Sequence, residues 1–250
     1  MPRLPRVRPH AYIAAMGRSG STVLANLFHD PPERVMLLEP NLLEPEPTGE
    51  CRLQLTDSLG PGATIETLGE TERWGIKEVR ADLHGPAIDR LDPAHIVVLL
   101  RDPVAASISL HEKGERDGDL ARLAWLEARM TDPLRVLPRI AERHNAIVVA
   151  YERLVADADA RAALADRLGW PMTGDLNRGL TRYGRAREID LHRGAITTAS
   201  LARSLDNAAP QARAFVERVT RGADEARALH DAAANAADGF LCHTASRRTA

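Results

Sequence analysis

His95–Leu100 (His-Ile-Val-Val-Leu-Leu) is apolar from its second residue on, carries three β-branched side chains in a row, and is closed by Arg101-Asp102-Pro103. A run without polar alternation fits a strand buried on both faces, as in a sheet covered by helices on either side. Asp102-Pro103 supplies an N-cap and a first-turn residue, so a helix follows directly. The same punctuation recurs along the chain. Tyr12–Met16 is a short apolar run stopped by Gly17, and Thr22–His29 then places Val23, Leu24, Leu27 and Phe28 at helical spacing. Arg34–Leu38, Trp74–Val79 and Ala146–Ala150 read as further strands, and Leu120–Met130 as another helix. Residues 39–64 are rich in Pro and Gly and read as an irregular loop or lid. Residues 157–237 read as mainly helical, with Ala-rich amphipathic segments.

Strands that alternate with helices over the first 150 residues predict a three-layer α/β/α architecture with a mainly parallel central sheet and a helical C-terminal part. A length of 250 residues suits one domain over 1–250, with 1–10 and 244–250 as flexible ends.

Composition removes several function classes. The 33 basic and 35 acidic side chains nearly cancel, to a net charge of −2, which argues against a general nucleic-acid binder. Three each of Phe, Trp and Tyr are too few for a base-stacking platform. Cys51 and Cys242 make no disulfide framework, and no CxxC or HExxH motif calls for a metal. A reduced, cytoplasmic setting is expected. Arg3, Arg6, Arg8 and His10 precede the apolar stretch Ala11–Met16, but that stretch falls short of the ~7–15 residues of a secretory core. No run approaches the ~20 residues of a membrane span. The chain is therefore expected to be soluble and unprocessed; its oligomeric state is not legible. Only Lys77 and Lys113 are lysines among the 33 basic residues, so a single arginine says little about function.

Met16-Gly17-Arg18-Ser19-Gly20-Ser21-Thr22 lies between the first strand and the first helix. Backbone N–H groups there carry partial positive charge and suit an anion. Set against the phosphate loop GxxxxGK[ST], Gly20 takes the second glycine, Ala15 stands for the first, and Ser21 occupies the lysine position. The topology is P-loop nucleoside triphosphate hydrolase-like, but the lysine that reaches the terminal phosphates is missing. The bland alternative is a glycine-containing turn with no ligand.

Arg18-Ser19-Gly20-Ser21-Thr22 resembles the 5′-phosphosulfate loop of sulfotransferases that use 3′-phosphoadenosine 5′-phosphosulfate (PAPS). Ile96 through Ser109, with Arg101 at a strand end and Ser109 eight residues later on a helix, resembles the 3′-phosphate site of that family. A guanidinium fork binds phosphate bidentately and a hydroxyl adds a directional donor. Lys77-Glu78-Val79-Arg80 and Leu38-Glu39-Pro40 resemble segments of the carbohydrate-type members. Tyr151-Glu152-Arg153-Leu154 resembles a family segment after a late strand and is taken as structural. The resemblance spans about residues 11–155; the Gly-rich donor loop of many members is not found in the C-terminal hundred.

The resemblance implies a sulfotransferase with PAPS as co-substrate, no metal, and a hydroxyl of a small-molecule or glycan acceptor. It implies that Gly17, Arg18, Ser19, Gly20, Ser21 and Thr22 hold the donor's 5′ side, and that Arg101 and Ser109 hold its 3′-phosphate. Lys77 becomes the candidate contact to the leaving oxygen, Arg18 a contact to the sulfuryl group, and Glu39 the candidate base, with Glu44 as its rival. Val79 stands where cytosolic members carry a catalytic His. His84 and His111 stay open as bases but are read first as ordinary surface or loop histidines, and Glu78 as a partner for Arg80 or Arg18. Arg178, Arg182, Arg185, Arg187 and Arg193 are read as a solvated basic segment, with contacts to the donor or to an anionic acceptor as the sharper alternative. A P-loop kinase using ATP and a non-catalytic nucleotide-binding module remain open.

Overall fold

The computed structural model describes residues 8–40, 65–116, 123–174, 176, 178–180, 186–188 and 210–242. In chain order the elements are β1 (Ala11–Ala15), α1 (Ser21–Phe28), β2 (Arg34–Leu38), α2 (Ile65–Glu70), β3 (Arg73–Glu78), α3 (Ala81–Leu91), β4 (His95–Leu100), α4 (Pro103–Arg116) and α5 (Leu123–Arg143). There follow β5 (Ile147–Ala150), α6 (Tyr151–Ala156), α7 (Ala158–Leu168), the hairpin strands β6 (Arg178–Leu180) and β7 (Ala186–Glu188), α8 (Pro210–Thr220), α9 (Asp224–Ala234) and β8 (Phe240–Cys242).

The main sheet has the order β2-β3-β1-β4-β5-β8. Its first five strands are parallel and β8 closes the edge antiparallel to β5. β1, β4 and β5 are apolar on both faces, as expected of covered parallel strands. Strand period two sorts their side chains into two cores. Tyr12, Ala14, Ile76, Val98, Leu100 and Val148 pack towards α3, α4, α5, α8 and α9. Ala11, Ile13, Ala15, Val97, Leu99 and Val149 pack towards α1, α6 and α7, with Trp170 beneath them. This is the expected three-layer, mainly parallel architecture.

Asp102 is the expected N-cap: its Oδ1 accepts from Ala105 N at 2.8 Å. Two helices depart from the sequence reading. Helix α3 has no counterpart there, because Gly85-Pro86 interrupts its pattern; His84, Ala87 and Ile88 bury its inner face all the same. Helix α5 runs on to Arg143 through Pro133 and Pro138. The C-terminal part is mainly helical as expected, with the short β6–β7 hairpin inside it and β8 after α9. Most of the 39–64 loop, with Glu44 and Cys51, the side chains of the Arg178–Arg193 cluster, the Lys113 side chain and the 244–250 tail lie outside the described residues.

Among the described residues no helix is long and apolar enough to cross a membrane. Nor do any three His, Cys, Asp or Glu side chains there group as a metal site.

Candidate active site

Parallel register brings the carboxyl ends of five strands together. Leu38 pairs with Lys77, Ala14 with Glu78, Ala15 with Leu99, and Leu100 with Ala150. The segments leaving these ends are the phosphate loop, Glu39, Glu78–Arg80, Arg101 and Tyr151.

In the loop, Ser19 is fully buried and folds back on Met16, whose carbonyl accepts from Ser19 N at 3.3 Å and from Ser19 Oγ at 2.8 Å. Arg18 and Gly20 both adopt positive φ, 66° and 82°. For an arginine that conformation costs about 1–2 kcal/mol. Arg101 holds it, donating from Nη1 to the Arg18 carbonyl at 3.1 Å. Gly20 is the N-cap of α1 and has no side chain to cap it, and no acidic residue stands in the first turn. The positive end of the helix is therefore not neutralised from within. A side chain at Gly20 would also run into the Tyr151 ring. At Gly17, by contrast, φ is not positive and a Cβ would have nothing within 4 Å. Ser21, in the Walker lysine position, is buried, and Thr22 is half-buried beside it.

The two donor anchors expected from the sequence are contiguous. Arg18 Nε donates to Ser109 Oγ at 3.2 Å, while Arg101 holds the Arg18 backbone. Arg101 is buried, its guanidinium 5.0 Å from the centre of the Tyr151 ring, and among the described residues its Nε has no hydrogen-bond partner. Its expected bland role, a salt bridge to Asp102, is not what the side chain does. Ser107 is buried against the Pro103 carbonyl at 2.6 Å, which leaves half-buried Ser109 as the reachable hydroxyl.

Lys77 and Glu39, named separately from two motifs, form an ion pair between Lys77 Nζ and Glu39 Oε1. Lys77 is almost fully buried, while the Glu39 side chain keeps 26% of its surface exposed. Glu39 N donates to the Lys77 carbonyl at 2.7 Å, and a positive φ of 50° turns the chain away there. Burial pushes the neighbouring Glu78 carboxyl up from its ordinary range, against backbone donors at Val79 and Arg80 and the Lys77 charge. Its Oε1 accepts from those two amides at 2.8 and 3.1 Å, so Glu78 is held by the backbone that leads into α3 rather than by the Arg80 or Arg18 side chain. Arg80 pairs with Asp82.

His84 and His111 are both buried, which corrects the reading of them as surface or loop residues. The Ala15 carbonyl, 3.3 Å from His84 Nε2, can only accept, so Nε2 carries the proton and Nδ1 accepts from Tyr12 Oη at 3.2 Å. Burial lowers the His84 pKa to about 4, so the ring is neutral and pins the end of β1 just before the loop. His111 packs against Phe215, with ring centres 5.7 Å apart.

Sequence reasoning missed two contributors. Tyr151, taken as structural, supports both Gly20 and Arg101; the signal was its place directly after a buried strand, like that of Arg101. Glu152 bridges the ends of β4 and β5, accepting from Asp102 N at 3.3 Å and meeting His230 Nε2 on α9 at 2.8 Å. The other His230 nitrogen faces Asp231 Oδ1 at 3.0 Å. Burial disfavours charge on both Glu152 and His230, but their mutual contact outweighs it, leaving Glu152 below and His230 above their ordinary pKa values.

No family model matches the chain. No curated protein matches it in sequence. Among solved structures it is similar to a sulfotransferase from Alicyclobacillus acidocaldarius, at 16% identity over 87% of this chain and 99% of that one, with a TM-score of 0.43. It is also similar to the sulfotransferase domain of the Synechococcus PCC 7002 olefin synthase, at 19% identity over 87% and 97%, TM-score 0.49. A third is mouse sulfotransferase SULT7A1 complexed with PAP, at 12% identity over 94% of this chain and 68% of that one, TM-score 0.42.

Proposed function

We propose that the chain is a PAPS-dependent sulfotransferase, one domain over 1–250 working in the cytoplasm, that moves a sulfuryl group to a hydroxyl of a small-molecule or carbohydrate acceptor. One observation carries this reading: Arg101 is a buried guanidinium at the end of β4, fixed by the Arg18 carbonyl and Tyr151, with its Nε unpaired among the described residues. A buried donor without a partner costs roughly 1–3 kcal/mol, which an anion at that place would recover. Gly17 supports the same reading, since nothing in the described protein demands glycine there while an anion approaching the backbone would.

Bound here, PAPS would supply an activated sulfuryl group on the 5′-phosphate. The residues Gly17 to Thr22 would hold that phosphate at the uncapped start of α1. Arg101 and Ser109 would hold the 3′-phosphate, and Arg18 would neutralise charge on the sulfuryl oxygens. Glu39 would take the proton of the acceptor hydroxyl, a general-base role that typically contributes ~10²–10⁴-fold. Lys77, paired with Glu39, would place its ammonium near the leaving oxygen. Both members of the pair would then be used, and the solvent-reached one, Glu39, would be the one to meet the acceptor.

A P-loop kinase is disfavoured because buried Ser21 puts no cation where the terminal phosphates of ATP would need one. Thermal shift with 3′-phosphoadenosine 5′-phosphate (PAP), AMP and ATP–Mg²⁺ in parallel tests the reading. PAP at about 100-fold above its Kd should stabilise by about 2.7 kcal/mol, and ATP–Mg²⁺ should not. Stabilisation by ATP–Mg²⁺ alone would overturn the proposal in favour of a kinase.

A further inference from the structure

Beside the Lys77–Glu39 pair a groove of about 810 Å³ opens between the start of α3 and the middle of α5. That is the size of a small-molecule site. Glu39 and Asp82 line the α3 side, and Arg129, Asp132, Arg135 and Arg139 line the α5 side, where the basic side chains outnumber the one carboxylate. Val79, Pro133 and Val136 give the groove an apolar stretch.

The arginines of this groove are not equivalent. Arg80 is consumed by Asp82, with Nη2 to Oδ2 at 2.5 Å and Nε to Oδ1 at 3.2 Å. Arg135 and Arg139 are exposed, and among the described residues neither has a carboxylate or carbonyl partner. Among the described residues Arg143 meets Asp89, Arg153 meets Asp157 and Arg218 meets Glu127, while exposed Arg90, Arg167 and Arg221 share the unmatched state of Arg135 and Arg139; what sets Arg135 and Arg139 apart is that they stand together on one groove wall. Residues four apart on a helix are neighbours, so two like charges there weaken α5 by a few tenths of a kcal/mol. A bound anion would relieve that repulsion, because two guanidiniums side by side make a fork for carboxylate or phosphate.

We infer that this groove is the acceptor site and that its acceptor is an anionic alcohol: a hydroxyl compound with a carboxylate or phosphate held by Arg135 and Arg139 while its hydroxyl reaches Glu39. The inference rests on the sulfuryl-transfer reading only for the role of Glu39; the anion seat stands on the groove itself.

Isothermal titration, with and without PAP, tests it using matched probes. Glucuronate and glucose 6-phosphate are compared with glucose, and 4-hydroxyphenylacetate with 4-hydroxyphenylacetamide. At least one anionic probe is expected to bind ten times more tightly than its neutral counterpart. The Arg135→Gln/Arg139→Gln double variant, shown to be folded by an unchanged melting temperature, should erase that difference. Equal binding of charged and neutral probes, no binding by any anionic probe, or a preference that survives the double substitution would each overturn the assignment. Because the anion is also titrated without PAP, failure of PAP to bind would remove the donor reading and leave a measured anion preference in support of the groove.

Discussion

Lys77 and Glu39 meet because β2 and β3 are neighbours in register, with Leu38 opposite Lys77. The positive φ at Glu39 then brings its carboxylate back over the strand end. Removing the Glu39 charge tests its role with little steric change. Glu39→Gln is expected to leave PAP binding intact and lower kcat by ~10²–10⁴-fold, read by titration and by PAP release. Unchanged kcat would take Glu39 out of the mechanism. Lys77→Arg is conservative on paper, but a planar fork does not fit a buried site shaped around an ammonium. It is expected to lower kcat at least ~100-fold, and activity near wild type would show that any cation suffices there. Both residues were legible as separate short motifs. Their contact was not, because it depends on which strands are neighbours, and spacing along the chain does not encode that. His84 shows the converse failure: a lone histidine beside Gly-Pro looks like a loop residue until α3 closes over β1.

At the scale of elements, α9 reaches the site only through His230. Its imidazole stands between Glu152 and Asp231, and Glu152 in turn ties the end of β5 to the first residue after β4. His230→Ala leaves a half-buried carboxylate uncompensated, at a cost of about 2 kcal/mol given the partial exposure of Glu152. For a chain of this size that is a fall in Tm of about 4–8 °C. The pH signature separates a charged role from packing. The folded pKa of His230 is raised, so its contribution is full below the ordinary histidine value and is lost as pH rises through the raised one. The gap in Tm between wild type and His230→Ala should therefore narrow as pH is raised from 6 to 9, and a constant gap would assign His230 to packing alone. The strands β2 and β4 were legible to the residue because apolar runs with sharp ends leave little choice. Helices α3 and α5 were obscured by Pro86, Pro133 and Pro138. An interior proline costs about 3 kcal/mol, so local propensity argues against helix there. Burial of Met130, Leu134 and Leu137 overrides it in α5, a tertiary effect with no local signature.

At the scale of the molecule, the order β2-β3-β1-β4-β5 places β1 where the chain changes direction. After β1 the chain builds β2 and β3 on one side, then crosses to build β4 and β5 on the other. Ligands in open α/β sheets sit outside the carboxyl ends of strands at such a switch point. Here that point holds the phosphate loop, with Arg101 on its β4 side and Lys77 on its β3 side. The parallel sheet was legible from the alternation of strands and helices, and the grouping of Arg18, Arg101 and Ser109 from their order along it. The groove beside Glu39 was not, because it is assembled from α3, which the sequence did not show, and from the part of α5 that runs beyond Met130. The central claim is that buried Arg101 exists to hold a 3′-phosphate. Titration of PAP and AMP into wild type and Arg101→Ala, with Arg101→Lys to keep the charge without the fork, tests it most directly. A charged hydrogen bond contributes about 1.5–3 kcal/mol, so wild type should prefer PAP by at least ~10-fold. The preference should vanish in Arg101→Ala and shrink in Arg101→Lys. Equal affinity for PAP and AMP in wild type, or a preference that survives Arg101→Ala, would contradict the account.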